Sequence, residues 1–166
     1  MKKLIVTRHA KSSWDSDAPS DFHRPLNNRG IRDTPIMAER LHLRGTLPEL
    51  ILSSTAVRAL ETTDLLMQTL SSDNIQLLTT NSIYEAPLPA LEKAIGMLPD
   101  HTSVAMIVGH NPGVSLLGSF LCRQPNLQMP TCAMACFELD IEHWQDVYRD
   151  CASMLWYDYP KNTPQL

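Results

Sequence analysis

Lys3-Leu4-Ile5-Val6-Thr7, followed at once by Arg8-His9-Ala10-Lys11, is the stretch from which the rest of the chain is read. Its apolar, β-branched run bounded by charge has the pattern of a strand. The basic start resembles a signal peptide in outline. The apolar part is too short for one and Arg8 interrupts it, so we read a first strand and expect a cytoplasmic protein. Further along, Val104 to Val108 is a continuous apolar run, as in a central strand buried on both faces. Leu50 to Leu52 and Ile75 to Thr79 read as further strands. Ala133 to Leu139 and Val147 to Trp156 read as strand-rich.

Helical patterns alternate with these strands. One runs from near Gly30 to Arg44, with Ile36, Met37, Leu41 and Leu43 as its apolar side and Gly45 as its stop. Pro35 is expected early in it, or to delay its start. Ser53-Ser54-Thr55 offers caps for a helix ending near Leu70. Pro89 to Leu98 is a short helix. Asn111-Pro112-Gly113 opens another that reaches Leu121, with Pro112 suited to the first helical position. Ala10 to Asn28 has no period and is expected to be a long loop, of the kind that often carries function. The alternation predicts an α/β fold with a largely parallel sheet. The 166 residues, without repeat or linker, predict one domain over 1–166.

Composition narrows the function. A net charge of -4 argues against a general nucleic-acid binder, which needs a broad basic surface. No apolar run nears the ~20 residues of a membrane-spanning helix, so no membrane partner is expected. Cys122, Cys132, Cys136 and Cys151 complete no zinc pattern and are expected to be free thiols.

Ligands of open α/β sheets bind beyond the carboxyl ends of the parallel strands. Arg8 and His9 follow the first strand. Ser53, Ser54 and then Arg58 follow the second, and Gly109, His110 and Asn111 follow the central one. Arg24, in the long loop, is placed to join them. Arginine presents a planar fork of donors that matches phosphate oxygens. A neutral imidazole nitrogen is a good nucleophile toward phosphorus, provided its other nitrogen is tied to an acceptor. Gly109 and Gly113 would let backbone approach a ligand, and the helix start after His110 would favour an anion.

Thr7-Arg8-His9-Ala10, Arg58 after Ser53-Ser54, and Gly109-His110-Asn111-Pro112-Gly113 together resemble the histidine phosphatase superfamily, the phosphoglycerate-mutase-like group with an RHG motif. Arg24-Pro25-Leu26-Asn27-Asn28-Arg29-Gly30 and the short length resemble its SixA-type phosphohistidine phosphatase branch. The resemblance implies a three-layer sandwich, with helices on both faces of a mostly parallel central sheet. It implies that His9 is the nucleophile, that Arg8 and Arg58 bind phosphoryl oxygens, that His110 completes the pocket and that Arg24 reaches the same phosphate. It implies no metal and no cofactor. It also implies a partner that is a protein carrying phosphohistidine or a small phosphorylated substrate. Ala10 replaces the usual glycine, and Lys11 after it is a candidate cation at the rim. Glu85, in Tyr84-Glu85-Ala86-Pro87, stands where some branches place a general acid; as an isolated residue it reads equally as a surface carboxylate or a helix cap.

Other readings share these residues. A phosphatase of small phosphomonoesters or sugar phosphates would use the same nucleophile and lean on Glu85. A non-catalytic phosphoprotein-binding module would need only the cations. A zinc hydrolase built on His9, His110 and Glu85 would place its metal among repelling arginines. His23, His42, His101 and His143 read as ordinary surface residues. Trp14 and Phe22 are expected to pack the long loop down, with contact of one of them to substrate as the alternative, and Trp144 and Trp156 to belong to the core or an edge strand.

Overall fold

A computed structural model describes residues 1–163. In chain order the elements are β1 (Lys2–Arg8), α1 (Asn28–Leu43), β2 (Leu50–Ser54), α2 (Val57–Leu70), β3 (Gln76–Thr80), α3 (Leu88–Gly96), β4 (Val104–Gly109), α4 (Gly113–Leu121), β5 (Met134–Leu139) and β6 (Ala152–Asp158). The six strands form one sheet in the order β3-β2-β4-β1-β5-β6. The first four in that order run parallel; β5 is antiparallel to β1, and β6 is antiparallel to β5.

Strand alternation divides the core into two layers of apolar contact. Leu4, Val6, Leu50, Leu52, Ala105 and Ile107 face one side, where Leu91, Ile95, Val114 and Leu117 of α3 and α4 cover them. Ile5, Ile51, Met106 and Val108 face the other, under Met37, Leu41, Leu66 and Leu70 of α1 and α2. The result is the three-layer sandwich. Each buried Leu, Ile, Val or Met among them contributes about 1.5–3 kcal/mol relative to exposure. With both faces covered, the open end of the sheet, where β1, β2 and β4 terminate, is left to bind a ligand. No helix among the described residues is long and apolar enough to cross a membrane. The four cysteines are buried and free.

Several local expectations need correction. α1 starts at Asn28, because the Asn27 side chain accepts from Gly30 N at 2.9 Å and caps it there. Pro35 therefore lies inside the helix. Its buried side is Thr34, Met37, Ala38 and Leu41, spaced three or four apart, while Ile36 and Leu43 are 41% and 85% exposed. Ser53 and Ser54 extend β2 instead of capping α2, whose N-cap is Ala56 with no side-chain bond. Pro112 precedes α4 as its N-cap; the first helical residue is Gly113. β6 begins at Ala152, after a single turn of 3₁₀ helix at Trp144–Asp146 and a left-handed Asp150. Gly30 matters for packing: a Cβ there would lie 2.3 Å from the Lys11 carbonyl oxygen. That close approach seats the start of α1 against the chain leaving β1.

Candidate active site

The ends of β1, β2 and β4 bring together the residues that the sequence separates. β1 pairs with β4 so that Arg8 stands beside Gly109. One step on, His9 N donates to Gly109 O at 3.0 Å, and His9 O accepts from Cys132 N at 3.0 Å. The backbone of His9 is thus held on both sides, and its side chain is 5% exposed.

The His9 ring is oriented by its own chain. Nδ1 lies 2.7 Å from Ala10 O, which can only accept, so Nδ1 carries the proton and Nε2 keeps its lone pair. Arg58 Nε donates to that Nε2 at 3.3 Å. Thr62, one turn further along α2, accepts from Ala10 N at 3.0 Å and donates to Arg58 O at 2.7 Å. A single hydroxyl therefore ties the His9–Ala10 step to the helix that carries Arg58.

His110 enters from the end of β4. Its ring centroid is 5.1 Å from that of His9. His110 Nε2 meets Ser54 Oγ at 2.8 Å, while buried Nδ1 has no partner among the described residues. Arg8 Nη1 donates to Met129 O at 3.2 Å, and its buried Nε is likewise unpartnered. Such buried donors or acceptors are uncommon and cost about 1–3 kcal/mol each.

Burial and positive neighbours act in the same direction on both rings. Desolvation, followed by His110, Arg58 and Arg8, drives the His9 pKa down to about 3 against the bond to Ala10 O. Desolvation and Arg58 are the main causes that lower His110 to about 4. Both imidazoles are therefore neutral at neutral pH.

The long loop contributes a group that the sequence does not single out. Asp21, in a 3₁₀ turn at Asp21–His23, accepts from Arg58 Nη2 at 3.0 Å, Arg24 Nε at 3.0 Å and Tyr84 OH at 2.6 Å. Its own carbonyl accepts from Arg58 Nη1 at 2.7 Å. The Tyr84 bond, then Arg24 and Arg58, hold the Asp21 carboxyl down at about 2 despite some desolvation. Arg24 is accordingly engaged with Asp21, Ser12 and Ser13 rather than standing free. Phe22 packs edge-on against Tyr84 at 5.1 Å, and Tyr84 against His110 at 5.3 Å.

Other expected residues fall as follows. Glu85 is exposed, has φ of +49°, and shares a cleft of about 410 Å³ with His110, Asn111, Pro112 and Leu116. Lys11 is half-buried, and its backbone accepts from Asn27 N at 3.0 Å. Gly109 and Gly113 do not make room for a ligand. A Cβ on them would meet Val114 at 3.1 Å, or Leu91 at 3.1 Å and Ala86 O at 3.2 Å, so they serve helix packing. Trp14 does not pack the loop down: it is 74% exposed, with the Arg24 guanidinium 3.6 Å from its ring centre. Among the described residues no group of three His, Cys, Asp or Glu side chains is placed to hold a metal ion.

Asp21 and Tyr84 were not legible as site residues. The loop holds Asp15, Asp17 and Asp21, and nothing in their spacing ranks them. Asp21 stands three residues before Arg24, which is a weak pairing signal at best in a loop.

The chain superposes on a candidate SixA phosphohistidine phosphatase from Agrobacterium tumefaciens with a TM-score of 0.82, at 24% identity, over 96% of this chain and 98% of that one. It has the histidine phosphatase fold. The protein histidine phosphatase SixA complexed with tungstate shares that fold, with a TM-score of 0.78, 22% identity and coverage of 95% and 97%. By sequence, an uncharacterized protein of Mycobacterium tuberculosis is 29% identical over 168 residues, covering 93% of this chain and 99% of its own. No family model matches the chain.

Proposed function

We propose that this chain is a phosphohistidine phosphatase of the SixA type, acting through a phosphoryl group carried transiently on His9. The observation that carries the reading is the His9 ring itself. Nδ1 is bound to Ala10 O, and the lone pair of Nε2 faces the guanidinium of Arg58 at 3.3 Å. A neutral, oriented imidazole beside a fixed cation is what nucleophilic attack on a phosphoryl group requires.

The cycle has two in-line steps. The Nε2 lone pair forms a bond to phosphorus as the bond to the leaving group breaks. Water then attacks the same phosphorus, and His9 leaves with its lone pair restored. In the first step the Arg58 Nε donor must move from Nε2 to a phosphoryl oxygen, because the lone pair cannot serve both. Arg8 and Arg58 spread positive charge over the equatorial oxygens. His110 supplies a buried, neutral ring at the same centre, and Arg24 acts through its hold on Asp21. No metal and no cofactor enters this cycle. That another protein with this fold binds tungstate, a tetrahedral oxyanion, supports a phosphate-shaped site.

The substrate in this reading is a phosphohistidine on the surface of another protein, in a cytoplasmic setting that suits four free thiols. A second reading, phosphomonoester hydrolysis with Glu85 as acid, is favoured by the cleft that Glu85 shares with His110. A substrate panel decides between them: phosphohistidine protein, phosphoramidate and sugar phosphates, each with His9→Ala as control. The first reading predicts turnover of the P–N substrates at least about tenfold above the esters, abolished in His9→Ala. Preference for a sugar phosphate would support the second. Turnover that survives His9→Ala would reject both.

A further inference from the structure

The loop acid Asp21 lies at the mouth of the site, and the cycle above uses it only as the anchor of Arg24. It is fixed on one side by three donors, Arg58 Nη2, Arg24 Nε and Tyr84 OH, yet its side chain remains 41% exposed. The Arg58 guanidinium separates it from the nucleophile: the Nε edge meets His9 Nε2, and the Nη edge meets Asp21. A phosphoryl group held on Arg58 and attacked by His9 directs its leaving group away from His9. Asp21, on the Nη edge, stands across the guanidinium from His9 Nε2, the position from which it would meet such a group.

We propose that Asp21 is a specificity-determining residue, selecting a leaving group that departs as an imidazole already carrying its proton. This rests on the phosphohistidine reading and names the group that recognises the leaving ring. A phosphohistidine ring protonated on its second nitrogen needs no proton donor to leave. The bond from His9 Nε2 to phosphorus forms, and the P–N bond breaks with its electron pair going to the ring nitrogen. The ring leaves as neutral imidazole, keeping the proton on its other nitrogen. Asp21 accepts a hydrogen bond from that N–H and favours the cationic ring over the neutral one. A phosphomonoester has the opposite need. Its oxygen leaves with negative charge and requires a proton, and Asp21, held ionised by Tyr84, Arg24 and Arg58 with one acceptor site of Oδ1 still open, has none to give. A fixed carboxylate beside a developing alkoxide or phenoxide opposes the step.

The test compares wild type with Asp21→Asn on two substrates of one size, N-phosphoimidazole and phenyl phosphate, and follows kcat/KM for each. Loss of a charge-assisted hydrogen bond predicts a fall of about 10- to 100-fold on N-phosphoimidazole. Phenyl phosphate hydrolysis should hold or rise, so the ratio of the two changes by at least tenfold. Unfolding midpoints measured alongside separate specificity from folding, because a general loss of structure lowers both rates equally. Equal losses with the phosphoenzyme still formed would overturn the role of Asp21 and leave the phosphatase reading intact. Equal gains would mean that Asp21 only competes with phosphate for Arg58, and would overturn it too. Absence of any phosphoenzyme in the wild type would sink the phosphatase reading and this assignment with it.

Discussion

Lowering the pH from 7 to 5 should remove much of the stability of this fold, and the two site histidines account for it. In the unfolded chain a histidine titrates near pH 6.5. In the fold, burial and the arginines hold His9 at about 3 and His110 at about 4. Between those values and 6.5 the unfolded state binds more protons than the folded one. Stability therefore falls as the pH falls through that window. At pH 5 each unfolded histidine gains about 2 kcal/mol from protonation, against a few tenths at pH 7. Both rings are under 10% exposed, so solvent screening removes little of this. Together the loss is about 4 kcal/mol, a large share of the roughly 5–15 kcal/mol of an ordinary domain. Asp21 does not confuse the result. Its folded pKa is depressed to about 2, so its stabilisation is present above about 4 and is lost only below that. Urea unfolding of wild type and of His9→Gln/His110→Gln at the two pH values measures the difference. The wild type should lose about 4 kcal/mol more than the double variant. An equal loss in both proteins would refute the claim that these rings are held neutral.

Three substitutions test the surroundings. Thr62→Val keeps the shape but removes the hydroxyl that joins Ala10 N to Arg58 O, leaving a buried donor unsatisfied; it should cost about 1–3 kcal/mol in urea unfolding and lower kcat at least about tenfold. Gly30→Ala places a methyl 2.3 Å from the Lys11 carbonyl and should cost about 1–3 kcal/mol, read as a lower unfolding midpoint. Glu85→Gln should slow phosphomonoester hydrolysis while sparing a P–N substrate; equal losses on the two would remove that division of roles from the account.

What could be read from the sequence follows a physical divide. Val104 to Val108 declares a central strand because a strand covered on both faces needs unbroken apolar residues, and the structure buries all of Ala105 to Val108. Arg8, His9, Arg58 and His110 stand out because strand ends converge in a parallel sheet whatever the intervening sequence. The helix faces were less legible. In α1 the choice between Ile36 and Ala38 as the inward residue depends on where Asn27 starts the helix, and one residue of error turns the face by about 100°. Trp14 reads as a packing residue from its place in the loop, yet it lies outermost, 74% exposed, covering the largely buried Arg24 guanidinium. Asp21 does not stand out because two of its three partners, Arg58 and Tyr84, come from distant segments, and the third, Arg24, follows it in a loop without a regular period.

The position of the phosphoryl group on the enzyme tests the central claim most directly. Brief reaction with N-phosphoimidazole, an alkaline quench to preserve the acid-labile P–N bond, and peptide mass spectrometry with ³¹P NMR would locate it. The account predicts one phosphoryl group, on Nε2 of His9, since Nδ1 is engaged with Ala10 O. A group found on His110, on His9 Nδ1, or on no histidine at all would contradict it.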